Sequence, residues 1–187
     1  MESKNRFLVN RVACPMQLTS SDFSAGGAIP VRFTCEGDNV SPEFSWKEAP
    51  GETKSFALIV HVPDAPRAGG FTHWVLYNIP AEKGGLDPNV PKRGQVPGTG
   101  TQGRSDSGEI GYMGPCLPSG THRYYVRLFA LDTELKLIPG ATHDELTQAM
   151  EGTFSREQNL WGLTGRRRNK PPRAACHVVR RQISGWP

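Results

Sequence analysis

The sequence predicts a mostly β fold, antiparallel, with one late helix. Short apolar and β-branched runs recur along the chain, each bounded by Gly, Pro, Asp or Ser. Glycine and proline contribute 21 and 16 of 187 residues without a repeat period, which suits many strands joined by tight turns. Only one segment combines a helix start signal with helical spacing. At this length the chain fits one domain that buries about two-thirds of its unfolded surface.

The first strand signals are MQLTS (16–20) and VRFTC (31–35), separated by the turn-rich SDFSAGGAIP. FSWKEAP (44–50) follows. SFALIVHVP (55–63) is nearly continuous in apolar character and reads as a strand buried on both faces. HWVLYNIP (73–80) is a second interior strand ending at Pro80. Residues 81–111 form a long, polar, Gly-rich excursion without periodicity, and a loop of that length usually marks function or disorder. HRYYVRLFALD (122–132) resumes a strand. Pro139-Gly140 then breaks the run, and Thr142 with Glu145 three places on is a capping-box signature. Leu146, Ala149, Met150 and Phe154 recur at helical spacing, giving a flanking helix over about 143–157 with one face on the sheet. Gly152 weakens its last turn by ~1 kcal/mol relative to Ala. NLWGLTG (159–165) reads as a short final strand.

Charge divides the chain in two. Residues 166–187 hold Arg166, Arg167, Arg168, Lys170, Arg173, Arg180 and Arg181 and no acid. Taking those seven from 22 basic residues leaves 15 against 18 acidic ones, so the body carries about −3 and the basic balance belongs to the tail. A solvated extension over 167–187 is the expected reading of that tail, with nucleic-acid contact the sharper alternative. Cys14, Cys35, Cys116 and Cys176 form no CxxC pair and no zinc-ligand spacing. Their even number leaves disulfides open, but reduced thiols in a cytoplasmic protein are the expectation. Arg6, Asn10 and Arg11 interrupt the N-terminal apolar run, so no signal-peptide core is expected. No apolar stretch approaches the ~20 residues that span a bilayer.

Gly98, Gly100 and Gly103 match the dinucleotide-binding glycine pattern, but neither a preceding strand nor a following helix is expected around them. His61, Asp64 and His73 can be drawn as a two-histidine, one-carboxylate metal site. His61 lies inside an interior strand, though, so a satisfied core histidine is the preferred reading, and no metal or cofactor is expected. Asp64 with His73 and His122 is the stronger constellation. Imidazoles donate hydrogen bonds to an anion and charge as it arrives. Asp64 would fix one ring's tautomer or accept from a ligand's ammonium. Tyr124, two residues past His122, shares its strand face and adds a phenolic donor. The spacing alone also suits structural histidines at strand starts. No residue near them reads as an activated nucleophile.

Three blocks carry a likeness. FTCEGDNVSPEFSW (33–46), VPDAPRAGGFTHWVLYNIP (62–80) and GYMGPCLPSGTHRYYVRLFAL (111–131) resemble the phosphatidylethanolamine-binding protein (PEBP) family. The likeness is to its bacterial and archaeal branch, often labelled Raf-kinase-inhibitor-like (the YbhB/YbcL type), and covers a domain over 16–166. It implies a Greek-key β fold, with a large central antiparallel sheet, a smaller sheet against it and a flanking helix. It also implies a small anion pocket in which Asp64, His73, Gly114, Pro115, His122 and Tyr124 would bind the ligand. The ligand would be a phosphate, a carboxylate or a phospholipid head group, and binding would not be catalytic. A regulatory role would accompany that binding; inhibition of a kinase or protease through protein contacts is the alternative, and a hydrolase using the histidine pair ranks last. The sequence departs from the family at Val62, where an aspartate is usual, and at Ser107 and Leu117. Val62 removes a carboxylate from the pocket rim.

Overall fold

The computed structural model describes residues 16–66, 68–116 and 121–164; the basic tail lies outside them. Nine strands and one α-helix follow in order: β1 (Gln17–Thr19), β2 (Phe44–Lys47), β3 (Ser55–Val62), β4 (Phe71–Pro80), β5 (Gly85–Leu86), β6 (Gln95–Val96), β7 (Gly100–Gln102), β8 (His122–Leu131), α1 (His143–Met150) and β9 (Phe154–Thr164). They form a small sheet ordered β1-β2-β5 and a large sheet ordered β6-β7-β4-β3-β8-β9. Within both sheets every pairing is antiparallel. Strand β8 returns past β4 and β7 to lie beside β3, which is the Greek-key connection. No helix among the described residues is long and apolar enough to cross a membrane.

The apolar run of β3 takes the central position that its composition calls for. Phe56, Leu58, Val60 and Val62 enter the core between the two sheets, together with Leu18, Phe44, Trp46, Trp74 and Tyr124. Ala57 and Ile59 enter a second core with Val75, Tyr77, Phe129, Leu146 and Met150. The alternation of a strand thus sorts one sequence run into two packed layers. Helix α1 covers the second layer and opens on the expected capping box. The Thr142 backbone N–H donates to Glu145 Oε2 (2.8 Å), and Glu145 N–H donates to Thr142 Oγ1 (3.3 Å).

Four expectations are corrected. VRFTC is not a strand: Val31–Phe33 is a single 3-10 turn, closed by Thr34 Oγ1 donating to the Val31 carbonyl (2.8 Å). A local side-chain bond there replaces a ladder. Residues 81–111 are not structureless, since they carry β5, β6 and β7. Gln102 ties this segment together, donating to the Pro91 and Arg93 carbonyls (2.6 and 2.8 Å) and accepting from Trp74 Nε1 (2.8 Å). Strands of two or three residues are too short to show a period in sequence. The helix stops at Met150, not near 157, because Glu151 leaves helical geometry and Gly152 turns to φ 75°. Phe154 therefore begins β9 rather than the helix's last turn. That final strand, expected only over 159–165, pairs with β8 along nearly its whole length.

Candidate functional site

The site lies where β4 and β8 begin on either side of the end of β3. Val60 stands opposite Trp74 while His61 stands opposite Thr72, so His73 is the extra residue of a β-bulge. A bulge re-aims the side chain it carries. The His73 ring packs on Tyr124 (centroids 4.9 Å apart) and on Phe71 (4.8 Å). On β8, His122 and Tyr124 are two residues apart and share a face, and Tyr124 joins Val62 in the core between the sheets.

A short wall faces these rings, and each of its residues is pinned. Tyr112 Oη donates to the Phe33 carbonyl (2.8 Å), and Met113 N–H donates to the His73 carbonyl (3.0 Å). Gly114 N–H donates to Asn39 Oδ1 (2.7 Å), and Cys35 N–H donates to the Pro115 carbonyl (2.9 Å). Cys35 and Cys116 form a disulfide, which corrects the expectation of reduced thiols for this pair. Cys14 and Cys176 lie outside the described residues. A Cβ at Gly114 would stand 2.4 Å from the Phe33 carbonyl oxygen and 2.9 Å from Thr34 Cα, backbone against backbone. Gly114→Ala is accordingly expected to cost roughly 1–3 kcal/mol and to displace the wall. Urea unfolding tests this, and a midpoint equal to wild type would contradict the close approach.

The electrostatics differ from residue to residue. His73 is 5% exposed, and burial pushes its pKa down to about 4, so the ring is neutral at pH 7. Its Nδ1 lies 2.9 Å from the Met113 carbonyl. A carbonyl only accepts, so Nδ1 carries the proton and Nε2 presents a lone pair. The His73 tautomer is therefore set by the Met113 carbonyl. Both Asp64 oxygens are held by Arg123: Nε donates to Oδ2 and Nη2 to Oδ1, each at 2.7 Å. That grip holds the Asp64 carboxyl below its ordinary range, and the His122 charge adds to the effect. Burial raises the Tyr124 phenol, opposed by the neighbouring Thr164 hydroxyl. His122 Nδ1 and Thr164 Oγ1 are buried without a hydrogen bond of good geometry. They belong to residues directly opposite each other across β8 and β9.

His61 is not part of this group. It pairs with Thr72, its Nδ1 lies 3.2 Å from Thr72 Oγ1, and its ring stacks on His143 of α1 (5.5 Å) on the opposite side of the sheet. Burial, then the His143 charge, lowers its pKa. The drawn metal triad of His61, Asp64 and His73 is thus split between two faces.

This geometry accompanies a clear relationship. The family model described as phosphatidylethanolamine-binding protein matches residues 19–164. The chain belongs to that family. The UPF0098 protein of Methanothermobacter thermautotrophicus is 51% identical over 148 residues, covering 79% of this chain and 97% of its own length. The UPF0098 protein of Aquifex aeolicus is 42% identical over 151 residues, covering 79% of this chain and 87% of its own. Among solved structures, a PEBP homologue from Chlamydia trachomatis superposes with a TM-score of 0.75 at 37% identity, over 82% of this chain and 99% of that one. Escherichia coli YbcL, described as a member of the mammalian PEBP family, also gives 0.75, at 28% identity over 82% of this chain and 100% of that one.

Of the residues expected to bind a ligand in this PEBP-family chain, His73, Gly114 and Tyr124 are brought into direct neighbourhood. His122 is one pleat along β8, and Pro115 is held in the wall. Asp64 sits beside them with its charge already met. Sequence reasoning missed Arg123, the Met113 carbonyl, Asn39 and Thr164. Arg123 was the most accessible of these, because it follows His122 directly and has to face away from it on a strand. The others act through backbone position, which no spacing reveals.

Proposed function

We propose that this PEBP-family protein is a non-catalytic binding protein whose site takes a small oxyanion: phosphate, a carboxylate, or the phosphate of a phospholipid head group. The observation that carries the reading is His122 Nδ1, buried without a hydrogen-bond partner at the sheet's end, with Thr164 directly opposite it and the Tyr124 phenol beside the Thr164 hydroxyl. Buried polar groups are nearly always satisfied, and an orphaned imidazole nitrogen next to two hydroxyls calls for a partner. An oxyanion meets that need: it accepts from the Thr164 hydroxyl, the Tyr124 phenol and any imidazole nitrogen that carries a proton. The relatives described as phosphatidylethanolamine-binding proteins support the same ligand class.

A nucleophile is harder to find. The thiol beside the Gly114–Pro115 wall is tied to Cys35, so it is not available to attack a substrate. His122→Ala is expected to weaken inorganic phosphate binding by about 10- to 100-fold, the worth of one charge-assisted hydrogen bond. Titration calorimetry at fixed ionic strength reads this directly. Equal heats from the variant and the wild type would overturn the assignment.

A further inference from the structure

We infer that the end of the molecule carrying the site is a docking face for an anionic membrane surface. The tail arginines and Val31 engage the bilayer around a lipid phosphate held at His122, Thr164 and Tyr124. The inference rests on the oxyanion reading above and commits it to a lipid source.

Position carries the argument. Strand β9 ends at Thr164, opposite His122, and the chain continues as Gly165 and then Arg166, Arg167 and Arg168. At about 3.8 Å per residue, the Cα of each arginine lies within about 15 Å of Thr164 on any path. Lys170, Arg173, Arg180 and Arg181 follow, with no acid up to Pro187. Seven cations thus leave the fold beside the site rather than at a remote corner.

Val31 belongs to the same end. The Ile29 N–H donates to the carbonyl of Leu163, the neighbour of Thr164 (2.8 Å), and the 3-10 turn Val31–Phe33 comes two residues later. Phe33 offers its carbonyl to Tyr112 Oη in the wall (2.8 Å), and Cys35 is bonded to Cys116. Within that turn Phe33 is buried, whereas Val31 is 61% exposed. A single exposed valine is ordinary on a protein surface. Next to an anion site and a basic tail, it supplies the shallow apolar contact of a protein that lies on a bilayer.

The body at this end is not itself basic. Glu36 and Asp38 share the loop with Arg32, which pairs with Asp38 at 3.5 Å. Attraction to an anionic surface therefore has to come from the tail, where each cation near the lipid adds to the affinity. A bilayer presents many phosphates in one plane, so one enters the site while its neighbours meet the arginines. Nucleic acid also presents phosphates, but a chain that grips its bases interleaves aromatic side chains with the basic ones. Trp186 is the tail's only aromatic residue, and nucleic acid has no use for Val31.

Co-sedimentation at fixed ionic strength tests this with vesicles of phosphatidylcholine alone and of equimolar phosphatidylcholine and phosphatidylserine. The full chain is expected to partition onto the mixed vesicles and not onto phosphatidylcholine alone. Ending the chain at Gly165 cuts that partitioning at least about 100-fold, and Val31→Ser cuts it about 5-fold. Ile138→Ser leaves it unchanged: this 81% exposed isoleucine lies on the α1 side of the large sheet, where its carbonyl accepts from Tyr77. Thermal melts verify that each variant folds. Partitioning unmoved by the truncation overturns the docking face, as does equal loss from Val31→Ser and Ile138→Ser. Retention of duplex DNA by the full chain, with no uptake by the mixed vesicles, overturns it as well. Tail-dependent vesicle binding without any heat from inorganic phosphate in calorimetry supports the docking face and overturns the oxyanion reading instead.

Discussion

Replacing Cys35 and Cys116 together with alanine is expected to lower the unfolding free energy by about 4 kcal/mol, the largest loss foreseen for any change outside the central core. The bond closes a loop with a sequence separation of 81 residues that contains β2 to β7. In the chain-entropy account, a cross-link stabilises by removing open conformations from the unfolded ensemble, and the effect grows with the logarithm of the loop. The consequence is local as well. The disulfide joins the Cys35 turn to the residue after Pro115, so its loss loosens the wall facing His73, and phosphate affinity should fall with stability. Guanidinium unfolding of the double variant reads the first effect and calorimetry the second. A denaturation midpoint equal to that of the oxidised wild type would defeat the prediction.

The second large effect is a loss of stability in mild acid that originates at His73. Its folded pKa is about 4, while an unfolded histidine titrates near 6.5. Between those values the unfolded chain binds the extra proton and the folded protein does not. Stability is therefore fully present above about pH 6.5 and is lost as pH falls towards 4, by roughly 3 kcal/mol at 1.36 kcal/mol per unit. His61, also depressed by burial, adds a contribution of the same sign. Asp64, whose pKa is lowered by Arg123, stabilises above the ordinary carboxylate range and loses its effect only at more acidic pH. Urea unfolding at a series of pH values should show the slope, and His73→Gln should flatten it. Saturating phosphate should also reduce it, because a bound anion favours the imidazolium form. A His73→Gln slope as steep as that of wild type would assign the acid sensitivity elsewhere.

Much of the frame was legible because its signals are local. The buried run of β3 declared itself by composition, and the capping box at Thr142 and Glu145 by spacing. The placement of His122 and Tyr124 on one face follows from the two-residue period of a strand. The short strands β5 to β7 were not legible, since each holds too few residues for any pattern and is defined by its pairing partner. The length of β9 was hidden for a related reason. Helical spacing at Met150 and Phe154 suggested a continuing helix, whereas pairing with β8 claims the chain from Phe154 onward.

The candidate site divides in the same manner. Its residue types and their order along the chain were determined by the sequence alone: two imidazoles after glycine-rich loops, a phenol two residues past the second, and a valine at the end of β3. Three decisions belong to the tertiary structure alone. One is the bulge that turns His73 to Tyr124 and leaves His61 facing α1. Another is the pairing of Cys35 with Cys116, and the third is the capture of Asp64 by Arg123. Each joins residues distant in sequence, and each depends on registers and hydrogen bonds that exist only once the strands have met. A period along the chain sets which face a side chain occupies; the partner on that face is chosen by the fold.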